Sequence, residues 1–265
     1  MKIQLDWLKE YVDIDVSAEE VGHLLTMAGL EIEAQETIEL SDGARTKVLE
    51  LNVTPNRGYC LNYLGVAREV AALLSKPFRY PNHAAELEKV WGPDLIEGEL
   101  TVDNQEPELC SRYSGMIIEN VKPGLSPKWL ADRLTAIGLH PVNNIVDITN
   151  FVLMEYGQPL HAFDRKSLKN SSIVVRRAAK DEPFISIDGS DLKLGEDALV
   201  IADANKPVAL AGIMGGVDSQ VTESTRHIVL ESASFDSQTV RKVSKKYGLR
   251  SDSSIRFERG IDIEA

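Results

Sequence analysis

Apolar positions along the chain switch between a spacing of two and a spacing of three to four, which predicts short strands interleaved with single helices. Asp6 to Tyr11 reads as a short helix. Ser17-Ala18-Glu19-Glu20 has the form of a capping box, in which Ser17 accepts the amide of Glu20 and Glu20 reaches back. The helix it opens turns Val21, Leu24 and Leu25 inward and stops at Gly29. Glu31 to Glu39 alternates as a strand does, and Ser41-Asp42-Gly43 is a turn. Leu49-Glu50-Leu51-Asn52-Val53 is a second strand, running into Thr54-Pro55-Asn56-Arg57. A helix follows over Leu64 to Leu74. The stretch from Pro77 to Gly98 is polar, contains proline and shows no period, as a linker would.

Beyond it, strands are expected near Leu100 to Asp103 and Tyr113 to Val121. Ser126-Pro127 should open a helix, serine as cap and proline in the first turn, closing at Gly138. Asn144 to Met154 is mostly apolar and runs into a Gly157-Gln158-Pro159 turn. Short strands follow at Ile173 to Arg177, Phe184 to Ile187 and Leu199 to Ala202, with Asp188-Gly189 as a hairpin signal. His227 to Ser232 is another strand, and Ser237 to Tyr247 a helix ended by Gly248. Strands mixed with single helices imply an α+β fold rather than regular βαβ repeats. The expected organisation is a small N-terminal α/β segment over residues 1–80, a linker over 81–98 and a mixed-sheet domain over 99–265.

Composition narrows the function. At 265 residues, 43% of them apolar, the chain can build one large domain or two ordinary ones. Two cysteines, Cys60 and Cys110, stand far apart without a CxxC or a His/Cys cluster, so neither a disulfide framework nor a metal site is expected and a reducing cytoplasm is the expected compartment. No signal peptide precedes Met1-Lys2-Ile3, and no apolar run approaches the roughly 20 residues that cross a bilayer, so no membrane partner is expected. A net charge of −12 argues against general nucleic-acid binding.

The chemistry concentrates in four segments. Tyr156-Gly157-Gln158-Pro159-Leu160-His161-Ala162-Phe163-Asp164 sets a histidine and an aspartate three residues apart behind a turn. His161 either faces a substrate or ties the loop to Asp164 or a backbone carbonyl. Gly212, Gly215 and Gly216 interrupt an apolar stretch, as packing turns or as a backbone wall against a ligand. By strand alternation Glu231 shares a face with Val229 and Ala233, where it is either a buried acceptor or an ordinary solvated carboxylate. From Arg241 to Arg259, seven cations including Lys242, Lys245, Lys246 and Arg250 stand against Asp252 and Glu258. They form either a local surface for a phosphate backbone or a solvated helix face.

Together with Val146-Asp147-Ile148-Thr149-Asn150, Asn52-Val53-Thr54-Pro55-Asn56-Arg57, Met27-Ala28-Gly29-Leu30-Glu31 and Phe257-Glu258-Arg259-Gly260-Ile261-Asp262, these segments resemble the beta subunit of bacterial phenylalanyl-tRNA synthetase over nearly the whole chain. The resemblance implies an editing (tRNA-binding B3/B4-type) domain over 99–265 that hydrolyses tyrosine mistakenly attached to tRNA(Phe). It also implies the site residues: His161 and Glu231 as the catalytic pair, with Glu231 reading the tyrosine hydroxyl, and Asn150, Gly212, Gly215, Ser251, Asp252 and Ser253 lining the substrate. Lys242, Lys245, Lys246 and Arg250 would meet tRNA. The implied partners are tRNA(Phe) and the alpha subunit of the synthetase. No cofactor is implied for this part, whereas the full enzyme uses ATP and Mg2+.

Three departures stand out. Family members insert an oligonucleotide-binding barrel after the strand near Glu31, and here about ten residues around Ser41 to Lys47 fill that place. Members also continue past the position of Ala265 into further domains. Ser251 and Ser253 replace an expected threonine and alanine. An ester hydrolase is one expected function. A structural, RNA-positioning part without activity of its own is the other. A free-standing serine hydrolase is disfavoured, since no Gly-x-Ser-x-Gly elbow is present.

Overall fold

A computed structural model describes residues 1–81 and 99–261, so residues 82–98 of the expected linker lie outside the described residues. Within them the chain divides into two compact units. One takes residues 1–81, 126–142 and 154–157, and the other takes 99–125, 143–153 and 158–261. The expected boundary near residue 99 assigns 126–142 to the second domain, whereas these residues pack with the first.

In the first unit, β1 (Lys2–Gln4), β2 (Glu31–Glu39) and β3 (Arg45–Asn52) form an antiparallel sheet in the order β1-β3-β2. The β2–β3 connection is tighter than expected, because Arg45 to Lys47 already belong to the strand. Only residues 40–44 turn the chain, closed by Leu40 N–H donating to Ala44 O at 2.8 Å with Gly43 at φ +82°. Helices α1 (Leu5–Leu8), α2 (Ala18–Met27) and α3 (Tyr63–Leu74) cover the sheet with Trp7, Leu8, Val21, Leu25, Tyr63 and Val66, all buried. Ser17 accepts the Glu20 amide at 3.2 Å, and Asn62 caps α3 by accepting the Gly65 amide at 2.7 Å.

Trp7 stacks on Tyr63 with ring centroids 3.8 Å apart, and Arg133 of α4 (Lys128–Ala136) lies over the Trp7 ring at 5.3 Å while pairing with Glu10. That cation anchors α4 in the first unit. Ser126 does not cap α4. Pro127 occupies the cap position, and its carbonyl accepts the amides of Leu130 and Ala131.

The second unit is a mixed α+β assembly, as its pattern predicts. A five-stranded sheet runs β12-β11-β10-β7-β4, from Met214–Gly215, Pro207–Leu210, Leu199–Ala202, Ser172–Arg177 and Thr101–Asn104. All pairs are antiparallel except β4 with β7, and the middle strands β10 and β11 are buried throughout. A three-stranded antiparallel sheet runs β5-β13-β6, from Cys110–Ile118, Ile228–Phe235 and Leu160–Asp164. Between β7 and β10, the hairpin β8 (Glu182–Ile185) and β9 (Asp191–Leu194) turns at Asp188-Gly189. The apolar stretch after Asn143 is helix α5 (Asn144–Tyr156), capped by the Asn143 side chain, which accepts the amides of Ile145 and Val146. Helices α6 (Ser237–Tyr247) and α7 (Asp252–Glu258) close the chain and contribute Val240, Val243 and Phe257 to a core with Phe163, Ile173, Val200, Leu210 and Val229.

Trp7→Ala should cost about 3–5 kcal/mol of stability, because it removes a fully buried ring together with its stack on Tyr63 and its packing under Arg133. A urea unfolding midpoint unchanged from the parent would contradict that packing.

Candidate active site

The site is built by strand pairing. β13 lies between β5 and β6, and its register with β6 sets Glu231 directly opposite His161 and Val229 opposite Phe163. Antiparallel partners point to the same face, so His161 and Glu231 stand side by side among Phe163, Val229 and Ala233. The start of β6 is held by Gln158, whose Nε2 donates to Ala233 O at 3.0 Å. Asp164 does not serve His161. Its two oxygens accept the Thr225 hydroxyl at 2.6 Å and the Lys166 amide at 3.0 Å. The reading of His161 as a tie to Asp164 is thereby excluded.

Burial sets the protonation of the pair. Glu231 is 8% exposed, and burial pushes its carboxyl from the ordinary 4.5 up to about 7, against the opposing hydrogen bond from Tyr113. Burial also holds the His161 imidazole down, from 6.5 to about 4. At neutral pH the imidazole is therefore uncharged. Its ring packs edge-on against Phe163 at 4.5 Å, and its Nε2 is buried with no hydrogen-bond partner among the described residues. An unpaired buried ring nitrogen beside a carboxylate is a polar offer to a ligand.

Gly215 completes this corner. A Cβ there would lie 2.6 Å from His161 Cε1 and 2.9 Å from Nε2, so the imidazole fits only because the residue is glycine. Gly212 has a different job. It turns the loop at φ +69°, and a Cβ would lie 2.9 Å from Phe257 and 3.0 Å from Phe235. It is a half-buried packing glycine against the core rings Phe235 and Phe257.

Ser251 also acts through the loop. Its hydroxyl donates to Ile213 O at 2.7 Å and accepts the Ser254 amide at 3.1 Å, stapling the glycine segment to the start of α7. Asp252 is exposed and accepts Arg256 Nη1 at 3.0 Å, while Ser253 and Asn150, the latter on α5, are half-buried.

The basic segment is thinner than its composition. Arg256 is 4% exposed, and Lys246 donates to Asp197 at 2.6 Å. Arg241, Lys242, Lys245 and Arg250 remain exposed along α6 and the turn after it. Tyr113 is the residue that local sequence did not flag. It lies on β5 opposite Ala233, diagonal to Glu231, and its phenol donates to Glu231 Oε2 at 2.6 Å. Neither buried thiol is an activated nucleophile, since burial pushes Cys60 up to about 11 and Cys110 up to about 12.

A family model described as the B3/4 domain matches residues 109–265. Phenylalanine–tRNA ligase beta subunits from Carboxydothermus hydrogenoformans, Protochlamydia amoebophila and Rhodopirellula baltica are 46%, 50% and 42% identical to the chain over 230, 215 and 262 residues. The matches cover 87%, 81% and 99% of this chain but 28%, 26% and 37% of those proteins, so the chain spans about a quarter to a third of their length. A solved N-terminal fragment of the phenylalanyl-tRNA synthetase beta subunit from Pyrococcus horikoshii aligns with a TM-score of 0.45 at 14% identity, covering 94% of this chain and 74% of that one.

The paired shifts predict opposing pH responses. Glu231 keeps its proton longer when folded, so its contribution to stability is full below about 4.5 and is lost as pH rises through about 7. His161 resists protonation when folded, so its contribution is full above about 6.5 and is lost as pH falls through about 4. Each is on the order of 3 kcal/mol, and between 4.5 and 6.5 they oppose one another. Glu231→Gln should leave a chain that weakens steadily on acidification from 6.5 to 4, and His161→Gln one that weakens as pH rises from 4.5 to 7. Urea midpoints across this range test both, and parallel profiles in the two variants would refute the assignment. Gly212→Ala should cost about 2–4 kcal/mol through a left-handed alanine and overpacking of Phe235 and Phe257.

Proposed function

The chain belongs to the B3/4 domain family, and on that premise we propose that it is the editing part of a phenylalanine–tRNA ligase beta subunit, hydrolysing the ester that joins tyrosine to tRNA(Phe). The observation that carries this reading is the cross-strand pair of His161 and Glu231, buried on one face, with an imidazole Nε2 that has no partner among the described residues. The ligase name of relatives at 42–50% identity supplies the substrate class.

The chemistry is consistent with such a pair. A pocket for phenylalanine cannot strongly reject a ligand that merely adds a hydroxyl, whereas a site that hydrogen-bonds the hydroxyl rejects the ligand lacking it. Glu231 is the reader of that hydroxyl. His161, uncharged at neutral pH, hydrogen-bonds the ester or the water that attacks it. The water oxygen bonds to the ester carbon, the bond to the ribose oxygen breaks, and the proton ends on the ribose hydroxyl. Asn150, Gly215, Asp252 and Ser253 line the ligand, while Gly212 and Ser251 hold the loop from behind.

The same reading assigns tRNA(Phe) and the alpha subunit as partners, the cytoplasm as the compartment, and ATP and Mg2+ to the charging reaction of the full enzyme. Ester hydrolysis here calls for neither. The alternative, an RNA-positioning part without activity, is favoured by one observation: the exposed cations Arg241, Lys242, Lys245 and Arg250.

Adding the chain to tyrosylated tRNA(Phe) and following ester loss separates the two. Hydrolysis above the uncatalysed rate supports editing, and binding without hydrolysis supports positioning. Glu231→Ala should slow tyrosine-ester hydrolysis roughly 10- to 100-fold, the loss of a charged acceptor worth about 1.5–3 kcal/mol. An unchanged rate in a folded variant would remove Glu231 from the reading. Replacing Lys242 and Lys245 by glutamine should flatten the salt dependence of tRNA binding by roughly 0.7–0.9 in log–log slope for each phosphate that is no longer neutralised. A slope that does not change would place the tRNA elsewhere.

A further inference from the structure

We propose that Tyr113 is a specificity-determining positioning residue, whose phenol holds Glu231 as an ionised acceptor so that the carboxylate can receive the phenol of a ligand. The inference rests on the editing reading above and adds to it a residue that the pattern of the sequence does not indicate.

The geometry has three parts. First, Tyr113 donates to Oε2 of Glu231 at 2.6 Å, which leaves Oε1 as the acceptor for a second hydroxyl. A carboxylate offers about four lone-pair sites, so an internal phenol and a ligand phenol can be held together. Second, the neighbours of Glu231 limit its swing. Its partner on β5 is Gly115, whose missing side chain is replaced by Leu100, 2.6 Å from where a Cβ would lie, and its partner on β6 is His161. Third, the tyrosine ring has room because its own partner on β13 is Ala233. Phenylalanine would bury the same ring there without needing a partner, so the hydroxyl is present for the carboxylate.

The titratable groups packed around Glu231 are few. Tyr113 and the buried Cys110 thiol come from β5, and His161, uncharged at neutral pH, comes from β6. Its neighbours along β13, Val229 and Ala233, are apolar. Burial alone would keep Glu231 protonated and turn it from an acceptor into a donor. The Tyr113 hydrogen bond acts in the opposite direction. Removing it should therefore change when the carboxyl ionises, and a residue that merely fills space would not do that.

The test follows the carboxyl carbon of Glu231 by NMR in 13C-glutamate-labelled chain, with Glu231→Gln to assign the signal. In parallel it measures hydrolysis of tyrosyl- and phenylalanyl-tRNA(Phe) from pH 6 to 8.5, corrected for the uncatalysed reaction. The parent should titrate near 7. Tyr113→Phe should titrate at least one pH unit higher, lose roughly five- to tenfold of tyrosine-ester hydrolysis at pH 7 and regain most of it by pH 8.5, with the phenylalanyl ester unaffected. If Tyr113→Phe fails to fold, 3-fluorotyrosine at position 113, a stronger donor of nearly the same shape, should move the midpoint down instead. An unchanged midpoint in either variant overturns the inference, and so does faster tyrosine-ester hydrolysis in Tyr113→Phe, which would make Tyr113 a competitor of the ligand. If the parent itself hydrolyses no tyrosyl ester, the editing reading falls, and the carboxyl midpoint alone then upholds or overturns the hold of Tyr113 on Glu231.

Discussion

The central position of β13 is the constraint on which the second unit depends. One strand pairs on one side with β5 and on the other with β6, bringing together residues 118 positions apart, Tyr113 and Glu231, and facing Glu231 with His161. Because side chains alternate along a strand, a slip of β13 by one residue would send Glu231 to the opposite face, away from Tyr113 and His161. The apolar neighbours Phe163, Val229 and Ala233 hold the register in place, since they too must face the core. Placing a carboxyl on that face lowers stability at neutral pH, and the same burial that imposes this cost tunes both the carboxyl and the imidazole.

Tuning works through solvent exclusion rather than ion pairing. The Glu231 carboxyl is raised and the His161 imidazole lowered chiefly because neither is solvated, with the Tyr113 phenol as a counterweight on the former. The consequence at neutral pH is an uncharged base beside a carboxyl near the midpoint of its titration. Both states of that carboxyl are within reach of a small change in its surroundings. A single hydrogen bond can then decide which of them the carboxyl holds.

Core packing and the site share parts. Gly212 turns the loop where Phe235 and Phe257 meet, Ser251 staples that loop to α7 through Ile213 O, and Gly215 leaves the space the imidazole occupies. Three residues that a motif would group as one ligand wall thus do three mechanically different things. Only Gly215 touches the imidazole. In the first unit the same economy ties α4 down, where Arg133 lies over Trp7 and pairs with Glu10.

Much of this was legible in the sequence. Periodicity located α2, α3, α6, β2 and β10 to within a few residues, and the mixture of strands and single helices yielded the α+β class, because local propensity and turn chemistry act over a few residues. Alternation alone put Glu231 on the face of Val229 and Ala233. What short-range pattern cannot carry is the pairing of distant strands. The opposition of His161 and Glu231, the Tyr113 phenol on Oε2, the burial of Arg256 out of an apparently continuous basic patch, and the capture of residues 126–142 by the first unit were decided by tertiary structure alone. Each depends on which surfaces meet after the chain has closed loops of tens of residues, and so on how much apolar area the whole arrangement removes from water.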